Sequence, residues 1–170
     1  FGACLSPHSA WLILQGLETL SLRMDRHMSN TEKVVGFLAS HPLVSRVGHP
    51  LLETHPSHAL AQKLLKHGAK GAGAVFSFDI KGSREQGKAF IEALKIFSHL
   101  ANVGDCRSLV IHPASTTHFR MSDEALAGAT GGVVADVGDA LHPAGVRELG
   151  DLEREVVRVD HVGQLGDGQA

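Results

Sequence analysis

The chain has 170 residues, of which 43% are hydrophobic and 20% charged, a composition typical of one soluble globular domain rather than of a disordered or fibrous protein. The formal net charge is −2 and lysine and arginine are scattered, which argues against a nucleic-acid-binding surface. No apolar run reaches the ~18 residues of a membrane span, and two cysteines cannot form a dense disulfide framework, so a cytoplasmic setting is predicted.

Two helices are predicted at the start of the chain. Ser6-Pro7 suits an N-cap followed by the first helical turn. The apolar residues of Trp11–Leu20 are spread too widely for a free-standing amphipathic helix, so we expect burial on most sides. A second long helix carries the apolar pattern on to about His41-Pro42. The start at Phe1, with no Met and no signal peptide, reads as the middle of a longer polypeptide.

Short strands and helices alternate through the middle of the chain. Their order predicts an α/β or α+β layer, in which a small sheet carries helices on one face. The expected elements are a strand at Val44–Val47, a loop at 48–57, a helix at Ala59–His67 closed by Gly68, a strand at Val75–Ile80, a helix capped by Ser83, strands at Phe97–Ala101 and Ser108–Ile111, a polar turn segment at 112–120, and a short helix capped by Ser122.

The segment from Asp123 to Ala170 uses a narrow set of residue types. It contains no Lys, Ile, Phe, Ser, Asn, Met, Cys or Trp, and most of its residues are encoded by GC-rich codons. Translation of a GC-rich gene in the wrong frame would produce such a composition. A real Val/Gly-rich strand and helix pair is the alternative.

The histidines and cysteines do not form a recognisable reactive centre. Of the twelve histidines, His55 and His58 are separated by Pro56, which disfavours one helical face, and no HExxH or Cys-x-x-Cys pair occurs. We therefore expect surface or loop histidines and no metal site. Cys4 is expected to pack in the interior, and Cys106 to lie in an exposed loop.

Two polar segments beside predicted strands are the best candidates for a binding site. Asn102–Asp105 and His112–His118 combine an amide, hydroxyls and imidazoles in turns, where such groups often orient ligands. The alternative is turn chemistry, in which Asn, Asp, Ser and Thr bind their own backbone.

Three stretches carry a specific resemblance to a known family. FGACLSPHSAWLILQGLETLSLRMDRH, GAGAVFSFDIKG and FSHLANVGDCRSLVIHPASTTH, in this order, resemble the Cys/Met-metabolism family of pyridoxal-phosphate (PLP) enzymes, and within it the O-acetylhomoserine sulfhydrylases. The resemblance covers about residues 1–127. It implies the C-terminal part of the type I PLP-enzyme fold: residues 1–40 end the large domain and link it to the small domain, 41–127 form the small domain, and 128–170 are a divergent tail.

The resemblance also implies a reaction and its partners. Such enzymes exchange the acetoxy group of O-acetyl-L-homoserine for sulfide or a thiol, with PLP as cofactor, in homo-oligomers that are dimers of dimers. The Schiff-base lysine and the other cofactor contacts are expected upstream of Phe1, and the sequence has no tyrosine. Asn102, Val103 and Thr117 match substrate-carboxylate-binding positions, and neutral donors suit that role.

One departure from the family pattern concerns the main carboxylate anchor. The family places an arginine in a strand with a context like VRLSVG, whereas Ala135 stands at about that position here. The departure begins near Gly128, which favours a frameshifted or degenerate end. Neither Arg120 nor Arg147 is expected to substitute. Activity of this chain alone is therefore not expected.

Other readings remain open on the sequence. Within the family, a cystathionine or methionine lyase is the alternative. Outside it, the chain is a non-catalytic remnant or partner module, and a His-rich metal binder is a third class. Self-association through the apolar first helix would indicate a part of a larger enzyme, whereas a monodisperse protein would indicate a module.

Overall fold

A computed structural model of the chain describes residues 4–100, 102–122 and 133–136. In these ranges four helices and five strands alternate largely as the sequence predicts. The helices are α1 (Pro7–Glu18), α2 (Leu20–Ser40), α3 (His58–Leu64) and α4 (Arg84–Ala93). The strands are β1 (Val44–Gly48), β2 (Val75–Ile80), β3 (Ser98–His99), β4 (Leu109–Ile111) and β5 (Val133–Asp136), and short 3-10 turns lie at Gly68–Gly71 and Pro113–Ser115.

The five strands form one mixed sheet in the order β1-β2-β5-β4-β3. All neighbouring pairs are antiparallel except β3 and β4, which run parallel. The strand directions therefore place the carboxyl ends of β3 and β4 and the amino end of β5 at one edge of the sheet. The loop that follows β1 starts at the opposite edge.

The core lies on one face of this sheet, beneath α2 and α4. Register pairs Val47 with Phe78 and Phe78 with Val133, so these side chains point to the same face. Phe90 of α4 meets Phe78 edge to face, with 6.0 Å between the ring centroids. The predicted arrangement of a small sheet with helices on one face is confirmed. The buried apolar cluster comprises Val34, Val35, Leu38, Val47, Phe76, Phe78, Phe90, Ile91, Phe97, Val110, Val133 and Ala135.

Two of the three predicted serine caps, those at Ser6 and Ser83, are confirmed. Ser6 accepts a hydrogen bond from the Ser9 amide and Pro7 opens α1. Ser83 and Gln86 form a reciprocal capping box at the start of α4, because each side chain accepts from the other residue's amide. The first turn of α4 is therefore fixed in place, and this turn contacts the candidate site.

Several predicted boundaries differ from the structure. The helix expected at Ala59–His67 ends at Leu64, because Leu65 has extended dihedrals, and Gly68, at φ 60°, opens a 3-10 turn instead. The strand expected at Phe97–Ala101 is reduced to Ser98–His99, while Ala101 lies outside the described residues. The helix expected after Ser122 also lies outside them.

The expected burial of α1 is wrong for the described structure. No residue of α1 is buried, and Trp11, Leu14 and Leu17 are each more than half exposed. Cys4, expected in the interior, is exposed as well, whereas Cys106 is exposed as predicted. Both errors have one cause. Apolar side chains predict burial, but no described part of the chain packs over this end of the molecule.

The expectation of surface or loop histidines is wrong for His27, which is buried inside α2, whereas His49 and His112 lie in loops as expected but are buried there. His27, His49 and His112 are at most 5% exposed. His49 satisfies both ring nitrogens: Nε2 contacts the Gly73 carbonyl at 3.2 Å, and Nδ1 accepts from the Leu51 amide at 3.1 Å. Burial lowers the pKa of His49 below its usual value, so the neutral ring is favoured.

A strand occurs inside the segment of restricted composition. Val133–Asp136 lies between β2 and β4 and pairs with both. The strand of the Val/Gly-rich alternative is therefore present at these four residues. The remaining residues from 123 onward lie outside the described part of the chain.

Candidate functional site

Asn102, Val103 and Thr117 follow the two parallel strands at their carboxyl ends. Asn102 and Val103 come three and four residues after the end of β3, and Thr117 comes six residues after the end of β4. The Leu100 amide still donates to the Val110 carbonyl at 3.3 Å, which keeps the two chains together as they leave the sheet. The topology therefore brings these three residues to one edge of the sheet.

The Asn102 side of the edge is an exposed loop organised by side-chain-to-backbone bonds. Oδ1 of Asn102 accepts from the Val103 amide at 2.9 Å. Gly104 adopts φ 87°, a conformation that glycine tolerates best. The turn chemistry predicted as an alternative is thus present, because the amide oxygen of Asn102 accepts a backbone hydrogen bond. The Nδ2 group of Asn102 is a hydrogen-bond donor.

Asp105 and Arg107 close this loop. Oδ1 of Asp105 accepts from the Arg107 amide at 2.9 Å, and the guanidinium contacts the carboxylate at 3.1 and 3.2 Å. The hydrogen bond from the Arg107 side chain lowers the pKa of Asp105 to about 2. Arg107 therefore stabilises the loop through its ion pair with Asp105.

The Thr117 side of the edge is a tight turn built on Pro113. The amides of Thr116 and His118 both donate to the Pro113 carbonyl, at 3.1 and 2.8 Å. Thr117, between them, is exposed, and its Oγ1 lies 2.7 Å from Nδ1 of His118. When Nδ1 of His118 carries the proton, it donates to Oγ1 and the threonine O–H can point to a ligand.

Helix α4 supports this turn from below, a feature that sequence reasoning missed. Arg84 donates to the Ala114 carbonyl, and Gly87 lies against the buried ring of His112. A glycine inside a capped helix, on the same face as Arg84 and Phe90, is the sequence signal that could have indicated a close contact at that face.

Of the three residues compared with the expected carboxylate anchor, Ala135 and Arg120 fall within the described residues. Ala135 is 3% exposed and lies in the apolar cluster, paired with Phe76 and Val110. Arg120 stacks over the Phe119 ring at 5.2 Å, and Arg147 lies outside the described residues.

Four lysines considered on the sequence do not fit the Schiff-base role for PLP. Lys33, Lys63, Lys66 and Lys70, which the sequence places outside any cofactor motif, are all exposed, and Lys70 pairs with Glu32 at 2.6 Å. An aldimine lysine needs a protected pocket, and these exposed positions offer none. No reaction step through the cofactor is therefore assigned to this chain.

Neither a metal centre nor a membrane-spanning helix is found among the described residues. Within the ranges that the structure describes, no three His, Cys, Asp or Glu side chains are grouped so that they could hold a metal ion. None of the described helices is long and apolar enough to cross a membrane.

Comparison with known proteins gives consistent relatives. The model of the family described as Cys/Met metabolism PLP-dependent enzyme matches residues 1–135. The O-acetyl-L-homoserine sulfhydrylase of Leptospira meyeri is 48% identical over 135 residues, which are 78% of this chain and 30% of that protein. The homocysteine synthase of Schizosaccharomyces pombe is 50% identical over 123 residues, or 72% and 28% of the two chains.

A solved structure agrees in fold. The cystathionine gamma synthase of Xanthomonas oryzae pv. oryzae, in complex with cystathionine, superimposes with a TM-score of 0.76 at 35% identity and covers 92% of this chain and 39% of that one. The chain thus spans less than a third of the length of the two curated relatives named above. Because the family model matches residues 1–135, which are most of this chain, the chain belongs to the Cys/Met-metabolism family of PLP-dependent enzymes.

Proposed function

We propose that this chain forms the substrate-carboxylate side of a PLP-dependent O-acetylhomoserine sulfhydrylase. The whole enzyme would replace the acetoxy group of O-acetyl-L-homoserine with sulfide or a thiol, giving homocysteine or methionine. The observation that carries the proposal is that Asn102, Val103 and Thr117 follow two paired parallel strands at the same edge of the sheet, in a chain whose matched residues are about half identical to those of proteins named for this activity.

The proposed role of these residues is to orient the amino-acid carboxylate. Nδ2 of Asn102 and Oγ1 of Thr117 act as neutral donors, and the backbone of Val103 lines the same edge. Hydrogen bonds to a charged acceptor are worth about 1.5–3 kcal/mol each, enough to orient a substrate but less than a bidentate arginine supplies. With Ala135 in place of that arginine, binding to this chain would be weak.

The cofactor and the chemical step belong to residues outside this chain in the proposal. Bound PLP supplies the electron sink of the reaction. This chain's own residues bind and orient the substrate, and we expect no turnover from the 170 residues by themselves. We further propose a homo-oligomer, a dimer of dimers, and a cytoplasmic location, which the two free cysteines suit.

A chimera tests the proposal. Residues 1–122 of this chain replace the matching stretch of the S. pombe homocysteine synthase, which keeps its own remaining residues. We expect homocysteine formation from O-acetylhomoserine and sulfide. Release of a keto acid from methionine or cystathionine, without the sulfhydrylase reaction, would favour a lyase and overturn the proposal. The parental enzyme is the matched control.

A further inference from the structure

His112 is a buried imidazole that the proposed carboxylate site does not use directly. It follows β4, is 5% exposed, and opens the turn that carries Thr117. Its Nδ1 lies 3.0 Å from Oγ of Ser115. Its main-chain carbonyl accepts from the hydroxyls of Ser115 and Thr116 at 3.2 and 2.9 Å. His112 thus binds the turn with both its ring and its backbone.

The other side of the ring rests on α4. A Cβ atom added at Gly87 would lie 3.0 Å from Nε2 and 3.2 Å from Cε1 of His112, which is closer than a Cβ atom normally approaches a neighbouring side chain. Arg84, one helical turn earlier on the same face, donates to the Ala114 carbonyl. One face of α4 therefore holds both the ring and the backbone of the turn.

These contacts fix the backbone on both sides of Thr117. The Pro113 carbonyl, next to His112, accepts from the amides of Thr116 and His118, so a shift of His112 moves both neighbours of Thr117. The surroundings also favour a neutral ring. Burial, followed by the charges of Arg84 and His99, lowers the pKa of His112 below its usual value.

We propose that His112 is a positioning residue, whose ring, held between Gly87 and Ser115, sets the turn that presents the Thr117 hydroxyl to the substrate carboxylate. The presentation to substrate rests on the proposed function. The setting of the turn does not, and can be measured without substrate.

The test compares two substitutions of His112. His112→Leu removes both ring nitrogens, whereas His112→Asn keeps a polar atom at the position of Nδ1. Amide hydrogen exchange of the 170-residue chain is followed by NMR at Thr116 and His118, with amides of β2 as reporters of global stability. We expect His112→Leu to speed exchange at the two turn amides about fivefold relative to the reporters, and His112→Asn to restore protection.

Two exchange results would overturn the proposal. One is unchanged exchange at the turn amides in His112→Leu. The other is an equal increase at the turn and in β2, which would make the ring a general stabilising group. If His112→Leu does not fold, Gly87→Ala presses the ring against Ser115, and the same two exchange criteria apply to it.

A second readout separates this proposal from the proposed function. In the chimera, we expect His112→Leu to raise the KM for O-acetylhomoserine about fivefold with kcat within about twofold, and His112→Asn to reverse this. If Thr117→Val leaves KM unchanged, the carboxylate role fails even where the exchange result stands. If Thr117→Val raises KM and His112→Leu does not, the positioning role fails alone.

Discussion

The contact between Gly87 and His112 makes a quantitative stability prediction. Replacing a glycine by alanine inside a helix ordinarily stabilises the fold by about 1 kcal/mol. Gly36 of α2 provides the matched control, because it is exposed and its added Cβ meets no atom within 4 Å. We therefore expect Gly36→Ala to raise the free energy of unfolding by about 1 kcal/mol.

Gly87→Ala adds the same methyl group against a ring that cannot easily withdraw. The ring is buried, and Ser115 holds its far side at 3.0 Å. Overpacking of this kind costs about 1–3 kcal/mol, which offsets the helix gain and leaves Gly87→Ala neutral or destabilising by up to about 2 kcal/mol.

Urea unfolding followed by circular dichroism measures both variants. Combining Gly87→Ala with His112→Asn, which lacks the ring atoms nearest the new Cβ, should recover most of the loss. Gly87→Ala as stabilising as Gly36→Ala would refute the close contact.

Two further predictions concern the histidines and α1. Burial lowers the folded-state pKa of His49 and His112 below the unfolded value of about 6.5. In acid the unfolded chain therefore binds more protons than the folded chain. The free energy of unfolding should be constant above pH 6.5 and fall below it. Urea midpoints at pH 7.5 and 5.5 test this, since Asp105, with a pKa of about 2, does not titrate there, and equal midpoints would contradict it. Trp11, Leu14 and Leu17 are 54%, 60% and 53% exposed, so the 170-residue chain should self-associate. The double substitution Trp11→Glu with Leu14→Lys should reduce the molar mass of the particles that light scattering measures. A monodisperse monomer before substitution would instead favour a self-sufficient module.

Local signals predicted the helices and their caps. Ser6, Pro7 and Ser83 act through neighbours within one turn, so the sequence alone contains the information. Strand lengths were less predictable, because β3 is limited to the two residues that pair with β4, and such pairing depends on a partner far along the chain.

The site residues and their support differ in the same way. Asn102, Val103 and Thr117 came from resemblance, and the parallel pairing of β3 with β4 accounts for their shared edge. His112 and Gly87 are 25 residues apart in sequence, so their contact follows only from the packing of α4. The exposure of α1 was unpredictable because apolar composition does not specify what covers a helix.

The most direct test of the central claim is the KM for O-acetylhomoserine of the chimera carrying Thr117→Val. Thr54→Val is the matched control, since Thr54 is exposed in the loop that leaves β1 at the opposite edge of the sheet. Loss of one hydrogen bond to a carboxylate, worth about 1.5–3 kcal/mol, predicts an increase in KM of about 10- to 150-fold for Thr117→Val. Thr54→Val should leave KM unchanged. Equal KM values for the two variants would contradict the assignment of this sheet edge to the substrate carboxylate.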